Sequence, residues 1–299
     1  MSSSIVWIFS GIQVLAFLVG LTTNGFILGV NIMDLMLSVP LTKSDFYMCY
    51  LATTNLSLQI WTLAKWICSL AQEDGFFCRL MNALKVTSSS CSLLLTAALC
   101  MFYCSRIVVF KHCLFRWVQK HVTHNYRYPI FGSILLCVVM GLPLAWTRSD
   151  YDNTQCNKLS APCNRSINAY SYQNIYRSII ILIGYSIPLF YVVLAAGLIL
   201  RSLIHHMRRM QVSMRMGHEI RLTAHLQAGC SVLSLLVLFI VYFVLSVLLL
   251  TELPPKDSPL LYVCYCAPML YSAVHSLVMI KGNVKLRSVA GDLLQKCKK

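Results

Sequence analysis

Two lysines, Lys65 and Lys85, interrupt long apolar stretches and are the residues best placed to do chemistry. Each lies in a stretch long enough to cross a membrane, where a lysine costs roughly 2.5 to 3.5 kcal/mol at the helix centre and less near the interface. One interpretation is that two cations in a cavity of low dielectric constant attract an anionic ligand, such as a carboxylate. The alternative is that each ammonium group reaches outward to water or to Glu73 and Asp74.

No other residue pattern indicates an enzyme, a cofactor or a metal site. The chain contains no H-E-x-x-H, no G-x-S-x-G and no G-x-x-x-x-G-K. His205 and His206 are adjacent and therefore point to different sides of a helix, which disfavours joint metal binding. We therefore expect neither a catalytic residue nor a bound metal.

The composition indicates a membrane protein. Hydrophobic residues make up 58% of the 299 residues and charged residues only 12%, whereas soluble domains are roughly one quarter charged. So few charged residues cannot cover so large an apolar surface. The net charge of +15 does not indicate a nucleic-acid partner, because the basic residues lie between apolar runs and form no continuous patch or known binding motif.

Seven apolar stretches are long enough to form membrane-spanning helices, which need roughly 20 residues each. They cover about 5–33, 47–71, 80–105, 128–146, 178–200, 228–250 and 260–280. The alternating segments of a β-barrel are absent, so the backbone groups must be satisfied within helices. The sequence thus predicts an all-α, seven-transmembrane helix bundle in a single domain, 1–299, with a long loop at 147–174 and a tail at 281–299.

The distribution of basic residues predicts the orientation of this bundle. Lysines and arginines concentrate in the gaps after the first, third and fifth stretches and in the tail, whereas acidic and basic residues balance on the other side. By the positive-inside rule, we expect the N-terminus outside the cell and the tail in the cytoplasm. We also expect the chain to lie in the plasma membrane. The basic face is also expected to contact anionic membrane lipid.

Polar residues within the apolar stretches predict contacts between helices. Asn24 and Asn31 lie seven residues apart on one face of the first stretch, so each buried amide needs a partner on a neighbouring helix. His206 lies just beyond the fifth stretch and His225 precedes the sixth, which gives the inner ends of both helices groups that can pair differently in two states.

Four segments resemble the type 2 (bitter) taste receptor family. They read G-L-T-T-N-G-F-I-L-G-V-N from Gly20 to Asn31, F-Y-C-S-R-I-V-V-F-K-H-C-L-F-R-W from Phe102 to Trp117, S-L-I-H-H-M-R-R-M-Q from Ser202 to Gln211, and H-S-L-V-M-I-K-G-N-V-K-L-R from His275 to Arg287. Each motif alone has low specificity, but all four occur in the order and at the depths that are typical of the family. The resemblance implies a G-protein-coupled receptor that binds small-molecule tastants in the outer half of the bundle and activates a heterotrimeric G protein such as gustducin.

Two alternatives share some of these features. A vomeronasal type 1 receptor has the same architecture with different ligands, and the His275 to Arg287 segment argues against it. A small membrane transporter is the alternative from another class. The chain shows no internal repeat and no paired acids and bases at mid-membrane depth, which argues against transport.

The resemblance also implies roles for individual residues. It places Lys65 and Lys85 on the pocket-facing sides of adjacent helices, and the ligand-binding residues that we expect are Lys65, Trp66, Lys85, Ser88, Ser89, Ser92 and Tyr265. The residues expected at the G-protein surface, at the inner ends of the helices, are Arg106, His206, His225 and Lys285. The residues expected to form an interhelical switch are Asn24, Asn55, His275 and Ser276.

The chain departs from the family at Asn55. Mammalian members commonly have L-A-x-S-R where this chain reads L-A-T-T-N, so Asn55 stands in place of an arginine that is thought to bond the asparagine of the first helix. An amide pair between Asn24 and Asn55 is the expected substitute.

Three cysteines and one asparagine lie where the predicted orientation places them outside the cell. Cys78 begins the third stretch, and Cys156 and Cys163 lie in the loop. Three thiols cannot all pair. Cys78 lies where many rhodopsin-like receptors anchor their second outer loop, a bridge that bitter receptors generally lack. That resemblance implies a bond from Cys78 to either Cys156 or Cys163, with a local Cys156 to Cys163 bridge as the alternative. Asn164 begins an N-x-S acceptor in the same loop and is the expected site of glycosylation.

Glycosylation of Asn164 provides a direct test of the predicted orientation. If the loop is outside, mature receptor should migrate faster on a gel after treatment with an N-glycosidase, because the enzyme removes the bulky glycan. An Asn164→Gln receptor should migrate at that faster position without treatment. A wild-type receptor at the cell surface whose mobility does not change would contradict the prediction.

Overall fold

The computed structural model describes residues 3–71, 75–108, 127–145, 175–212, 219–255 and 258–296. Within these ranges the chain forms helices and no strand. The helices are α1 (Ser3–Met36), α2 (Lys43–Leu70), α3 (Phe76–Ile107), α4 (Arg127–Gly141), α5 (Ile187–Val212), α6 (Glu219–Leu250), α7 (Pro259–Gly282) and α8 (Val284–Lys296). A 3-10 turn at Leu142–Ala145 extends α4, and a π-helical segment at Ile180–Ser186 leads into α5.

The predicted all-α bundle of seven helices is confirmed. Six of the described helical segments are long and apolar enough to cross a membrane. The seventh helix of the bundle is α2, which is 28 residues long but carries more polar residues along its length, including Asn55 and Gln59. Helix α8 lies in the predicted tail and was not expected from the sequence.

The exposed surface of the bundle is apolar. On α6, Val237, Val241 and Val244 are exposed, and on α4 the exposed side chains include Phe131 and Leu135. Such residues recur three or four positions apart, as they do on one side of a helix. In water these faces would be costly, so their exposure is explained by a lipid environment.

Helix α3 occupies the centre of the bundle. It packs against α2, α4 and α5 and also touches α6, and most of its residues are buried. Many of the buried side chains are small, including Ser89, Ser90, Ser92 and Thr96. Small side chains let neighbouring helices approach closely in a membrane, where van der Waals packing replaces the hydrophobic effect as the driving force.

The π-helical segment brings the fifth helix close to α3. A side chain at Gly184 would place its Cβ 2.7 Å from Oγ of Ser90, so only glycine fits without a shift of the serine. Pro188 follows the segment and has no N–H to donate to the carbonyl of Gly184. The wider π-helical turn accommodates this proline. Tyr185, which follows Gly184, is buried in the core.

The two ends of the bundle are named here after the predicted orientation. The outer end contains the start of α1, and the inner end contains the start of α2. At the inner end, a reciprocal pair of hydrogen bonds caps α2: the Thr42 backbone N–H donates to Asp45 Oδ2 at 3.0 Å, and the Asp45 N–H donates to Thr42 Oγ1 at 3.2 Å. Asp45 is therefore fixed at the first turn of α2.

Candidate functional site

Lys65 and Lys85 lie on facing helices in the outer half of the bundle. Lys65 follows buried Leu58 by two helical turns, so both residues lie on the same face of α2. On α3, Lys85 lies one turn before buried Ser89, and the two helices pack against each other. The two lysines therefore lie on helices that contact each other.

The structure describes no ion pair of either lysine. Neither Lys65 nor Lys85 contacts a carboxylate within the described ranges. Glu73 and Asp74, the partners expected if the lysines reach outward, lie outside the described residues. The anion-binding interpretation and the outward-reaching interpretation therefore both stay predictions.

The other expected ligand-binding residues line the same half of the bundle. Trp66 and Ser88 are half-buried on α2 and α3. Tyr265 lies two turns before buried Ser272 and on the same face of α7, yet 47% of its surface is exposed.

A hydrogen-bonded cluster of tyrosines lies one turn below Lys85. The Ser89 hydroxyl lies 2.8 Å from the Tyr185 hydroxyl and 2.6 Å from the Tyr242 hydroxyl, and all three residues are buried. These bonds join α3 to the π-helical segment and to α6. The tyrosine cluster, defined as Ser89, Tyr185 and Tyr242, lies one turn from Lys85 toward the inner end.

Stacked rings continue from this cluster to α7. The rings of Tyr242 and Tyr271 stack with centroids 4.2 Å apart at an interplanar angle of 19°. Tyr271 in turn stacks on His275 at 5.3 Å and 26°. Offset and stacked aromatic pairs each contribute roughly 0.5 to 1.5 kcal/mol beyond the area they bury. The stacking of Tyr242 on Tyr271 therefore couples the side-chain positions of α6 and α7.

Asn55 lies at the centre of a second polar cluster, where four helices meet. Its Nδ2 atom lies 3.3 Å from Asn24 Oδ1 on α1 and 3.0 Å from His275 Nδ1 on α7. Its Oδ1 atom accepts a hydrogen bond of 2.7 Å from the Ser92 hydroxyl on α3. All four residues are fully buried. The asparagine cluster, defined as these four residues, thus uses both ends of the Asn55 amide.

One assignment of protons satisfies every bond around His275. Asn55 Nδ2 can only donate, so His275 Nδ1 accepts and the ring proton lies on Nε2. His275 Nε2 then donates to Thr96 Oγ1 at 3.0 Å, and the Thr96 hydroxyl donates to the Ser92 carbonyl at 2.6 Å. A proton on Nδ1 would point at the Asn55 Nδ2 group, which is itself a donor. The cluster therefore requires the neutral imidazole with hydrogen on Nε2.

Two further hydrogen bonds attach α7 to α1 and α2. The Ser276 and Thr23 hydroxyls lie 2.6 Å apart, and the Ser272 hydroxyl donates to the Asn55 carbonyl at 3.1 Å. Of the expected switch residues, Asn55 contacts both Asn24 and His275, and Ser276 follows His275 on α7. Their role as a switch stays a prediction.

The residues expected at the G-protein surface occupy different environments. Arg106 is exposed at the inner end of α3, with its guanidinium group 5.4 Å from the centre of the Phe102 ring. Lys285 forms ion pairs with Asp34 and Asp45. The side chains of His206 and His225 lie outside the described part of the structure.

The expected disulfide and glycosylation site lie largely outside the described ranges. Cys78 is buried at the start of α3. Cys156, Cys163 and Asn164 all belong to a segment that the structure does not describe. The pairing of the loop cysteines stays a prediction.

Several residues in and between the two clusters were not expected from the sequence. Tyr185 and Tyr242 bond Ser89, and Tyr271 and Thr96 connect the tyrosine cluster to His275. One signal was available: a tyrosine hydroxyl inside an apolar helix needs a partner when it is buried. Which helix supplies that partner could not be read from the order of residues.

Comparison with known proteins identifies one family over nearly the entire chain. A family model described as "Taste receptor protein (TAS2R)" matches residues 1–298. Taste receptor type 2 member 119 of Rattus norvegicus is 26% identical over 294 residues, which cover 94% of this chain and 83% of that protein. Taste receptor type 2 member 7 of Rattus norvegicus is 27% identical over 301 residues, covering 94% and 92%. The member 7 protein of Macaca mulatta is 26% identical over 298 residues, covering 93% and 89%.

Substitution of Asn55 tests whether the asparagine cluster stabilises the bundle. Asn55→Ala should destabilise the receptor, because each buried group left without a partner costs about 1 to 3 kcal/mol. We expect the apparent melting temperature of purified receptor in detergent to fall by about 5 °C or more. His275→Ala should lower the melting temperature less in the Asn55→Ala protein than in the wild type, because the two residues bond directly.

Thr53→Ala is the matched control. Thr53 is exposed on the same helix and donates to the Cys49 carbonyl of its own helix, so its loss should change the melting temperature little. Equal melting temperatures for the Asn55→Ala and Thr53→Ala receptors would contradict a stabilising role for the cluster.

Proposed function

The chain belongs to the type 2 taste receptor family of G-protein-coupled receptors, and from this membership we propose that it is a bitter taste receptor activated by small molecules. The agonist binds in the outer half of the helix bundle, and the receptor activates a heterotrimeric G protein of the gustducin type at the inner end. The chain is a multi-pass membrane protein, and the plasma membrane is its proposed location.

The observation that carries this proposal is a continuous path of contacts from Ser89 to the asparagine cluster. Ser89, one turn below Lys85, bonds Tyr242, and the stacked rings of Tyr271 and His275 lead from there to Asn55. The path touches four helices, α3, α6, α7 and α2. A ligand that displaces one side chain at the outer end therefore changes contacts between helices deep in the membrane.

The energetic requirement for signalling along this path is modest. A ligand shifts the population of two arrangements only by the difference in its affinity for them. Hydroxyl groups such as those of Ser89 and Tyr185 can exchange one partner for another without leaving a buried group unsatisfied. Such exchange lets two arrangements lie close in free energy.

The proposed agonist carries a negative charge. Lys65 and Lys85 place two cations on helices that contact each other, and no described carboxylate neutralises them. Trp66 and Tyr265 add aromatic surface at the same level. This combination suits an amphipathic acid whose carboxylate lies between the lysines and whose apolar body packs on the rings.

Basic groups at the inner end support coupling to a G protein. Arg106 is exposed there, and His206 and His225 belong to the inner ends of α5 and α6 in the sequence. We propose that these three residues lie at the surface that meets the G protein. A disulfide from Cys78 to Cys156 or Cys163 would hold the loop 147–174 across the mouth of the ligand pocket.

The proposed function is tested by expressing the receptor in cells with a calcium reporter and a promiscuous G protein. At least one compound of a broad tastant panel should raise calcium in these cells and not in untransfected cells. An Arg106→Ala receptor at matched surface level should respond less, because it lacks an exposed cation at the coupling face. A purified receptor that catalyses no nucleotide exchange but moves solute across liposomes would overturn the proposal in favour of a transporter.

The negative charge of the agonist is tested at Lys85. Lys85→Met removes the ammonium group at nearly constant length, so it should raise the half-maximal concentration of acidic agonists about tenfold, which corresponds to the loss of one favourable charge contact. Neutral agonists should keep their potency within about twofold, because they gain nothing from the charge. The measurement is a set of concentration–response curves in the calcium assay.

Lys85→Arg is the matched control because it keeps the positive charge. It should retain most of the potency of acidic agonists. For the Lys85→Met receptor, an equal loss of potency for acidic and neutral agonists, or no loss for either, would favour the interpretation in which both lysines reach outward.

A further inference from the structure

Lys285 occupies the junction of three helices at the inner end. It is the second residue of α8, and its Nζ forms an ion pair with Asp34 at the end of α1. The same Nζ lies 3.6 Å from Asp45 Oδ2 in the first turn of α2 and donates to Asn31 Oδ1 at 2.9 Å. These four residues are referred to below as the Lys285 latch.

The latch is largely shielded from the inner surface. The side chain of Asp45 is 5% exposed, that of Asp34 is 23% exposed, and that of Lys285 is 31% exposed. An ion pair that is shielded from water is screened less by salt than one on the surface. The charge of Lys285 is thus directed into the bundle and is already engaged by two carboxylates.

Asn283 joins the latch to the neighbouring cleft. Its Oδ1 atom accepts hydrogen bonds from the backbone N–H groups of Lys285, at 2.9 Å, and Leu286, at 3.3 Å, and so caps α8. Its Nδ2 atom lies 3.1 Å from the sulfur of Met48 on α2. The start of α8 therefore cannot move without changing the position of Met48 or breaking this contact.

The cleft that Met48 lines is closed. It lies between α2, α3, α6 and α7, with Leu99, Tyr103, Leu235 and Met279 among its other walls, and its volume is about 40 Å³. A space of that size holds at most a few water molecules. No segment of a partner protein fits between these four helices as the structure describes them, and this arrangement is treated below as the resting one.

We propose that the Lys285 latch stabilises the resting receptor by holding α8 and the end of α7 against α1 and α2, and that its release favours coupling. This inference rests on the proposed function as a G-protein-coupled receptor. Lys285 then acts as a positioning residue, through α8 and the cleft, and not through direct contact with the G protein. A direct contact and a latch predict opposite effects of removing the charge.

The first measurement is basal nucleotide exchange on a G protein by purified receptor without agonist. Lys285→Ala should raise basal exchange about fivefold or more, which is the lower range of typical coupling between two states. Asp34→Asn should raise it less, because Lys285 keeps Asp45 and Asn31 as partners. Addition of Asp34→Asn to Lys285→Ala should change little more, because the ion pair is already absent.

Two further variants distinguish a latch from a general loss of positive charge. Lys285→Asp combined with Asp34→Lys exchanges the two charges and should return basal exchange toward the wild-type value. Arg287→Ala removes an exposed cation two residues along α8 and should leave basal exchange unchanged. If Lys285→Ala does not reach the membrane, Asp34→Asn and the exchanged pair give the same comparison.

The second measurement does not depend on any G protein. Amide hydrogen exchange within 284–296 and at the start of α2 should become faster in Lys285→Ala than in wild type, because both segments lose a shared partner. If wild-type receptor couples to no G protein, the proposed function fails while this measurement still decides the latch.

Three outcomes would overturn the latch. One is a fall in agonist-stimulated exchange for Lys285→Ala with no rise in basal exchange, which is the result for a direct contact. Another is an equal rise in basal exchange for Arg287→Ala, which would show a general charge effect. The third is unchanged amide exchange in α8 and α2 in the Lys285→Ala receptor.

Discussion

The hydrogen bonds of the Asn55 amide are the interaction on which the arrangement of the bundle depends. A membrane offers no water to a polar group inside it, so a buried amide must find partners within the protein. Asn55 finds them on α1, α3 and α7 at once, through Asn24, Ser92 and His275. Because the bonds use both ends of the amide, a rotation of any of these helices leaves a donor or an acceptor unsatisfied.

The two halves of the bundle are held together by different kinds of contact. Helix α7 shares hydrogen bonds with α1 and α2 at mid-depth, and the Lys285 latch joins α8 to α1 and α2 at the inner end. Tyr185, in the π-helical segment, and Tyr242, on α6, bond Ser89 of α3, and Tyr242 also stacks on Tyr271 of α7. At the outer end Arg177 pairs with Glu252. Helix α6 therefore meets α3 through hydroxyl groups and α7 through stacked rings.

Helix α6 connects the proposed ligand pocket with the inner cleft. The tyrosine cluster lies directly below Lys85, and the same α6 that carries Tyr242 also lines the closed cleft at Leu235, two turns further in. A displacement of Tyr242 thus acts on a helix that forms a wall of the cleft. On the other side of the cleft, Met48 and Asn283 connect the wall to the latch. The proposed ligand pocket and the Lys285 latch are therefore connected to opposite walls of this cavity, the first through α6 and the second through Met48.

The sequence by itself determined the seven helices of the bundle and the family, but not α8. The length of an apolar run fixes whether a helix can span a membrane, and the four motifs lie within single segments, so neither depends on the packing of the chain. It also indicated which amides need partners, as with Asn24 and Asn31.

Only the tertiary structure decided which partners they find. Asn31 bonds Lys285, more than 250 residues away, and His275 bonds Thr96. Helical periodicity specifies the face on which a residue lies, but the neighbour opposite that face depends on how the helices rotate and pack. For the same reason the engagement of Lys285 by Asp34 and Asp45, and the stacking of Tyr242, Tyr271 and His275, could not be read from the order of residues.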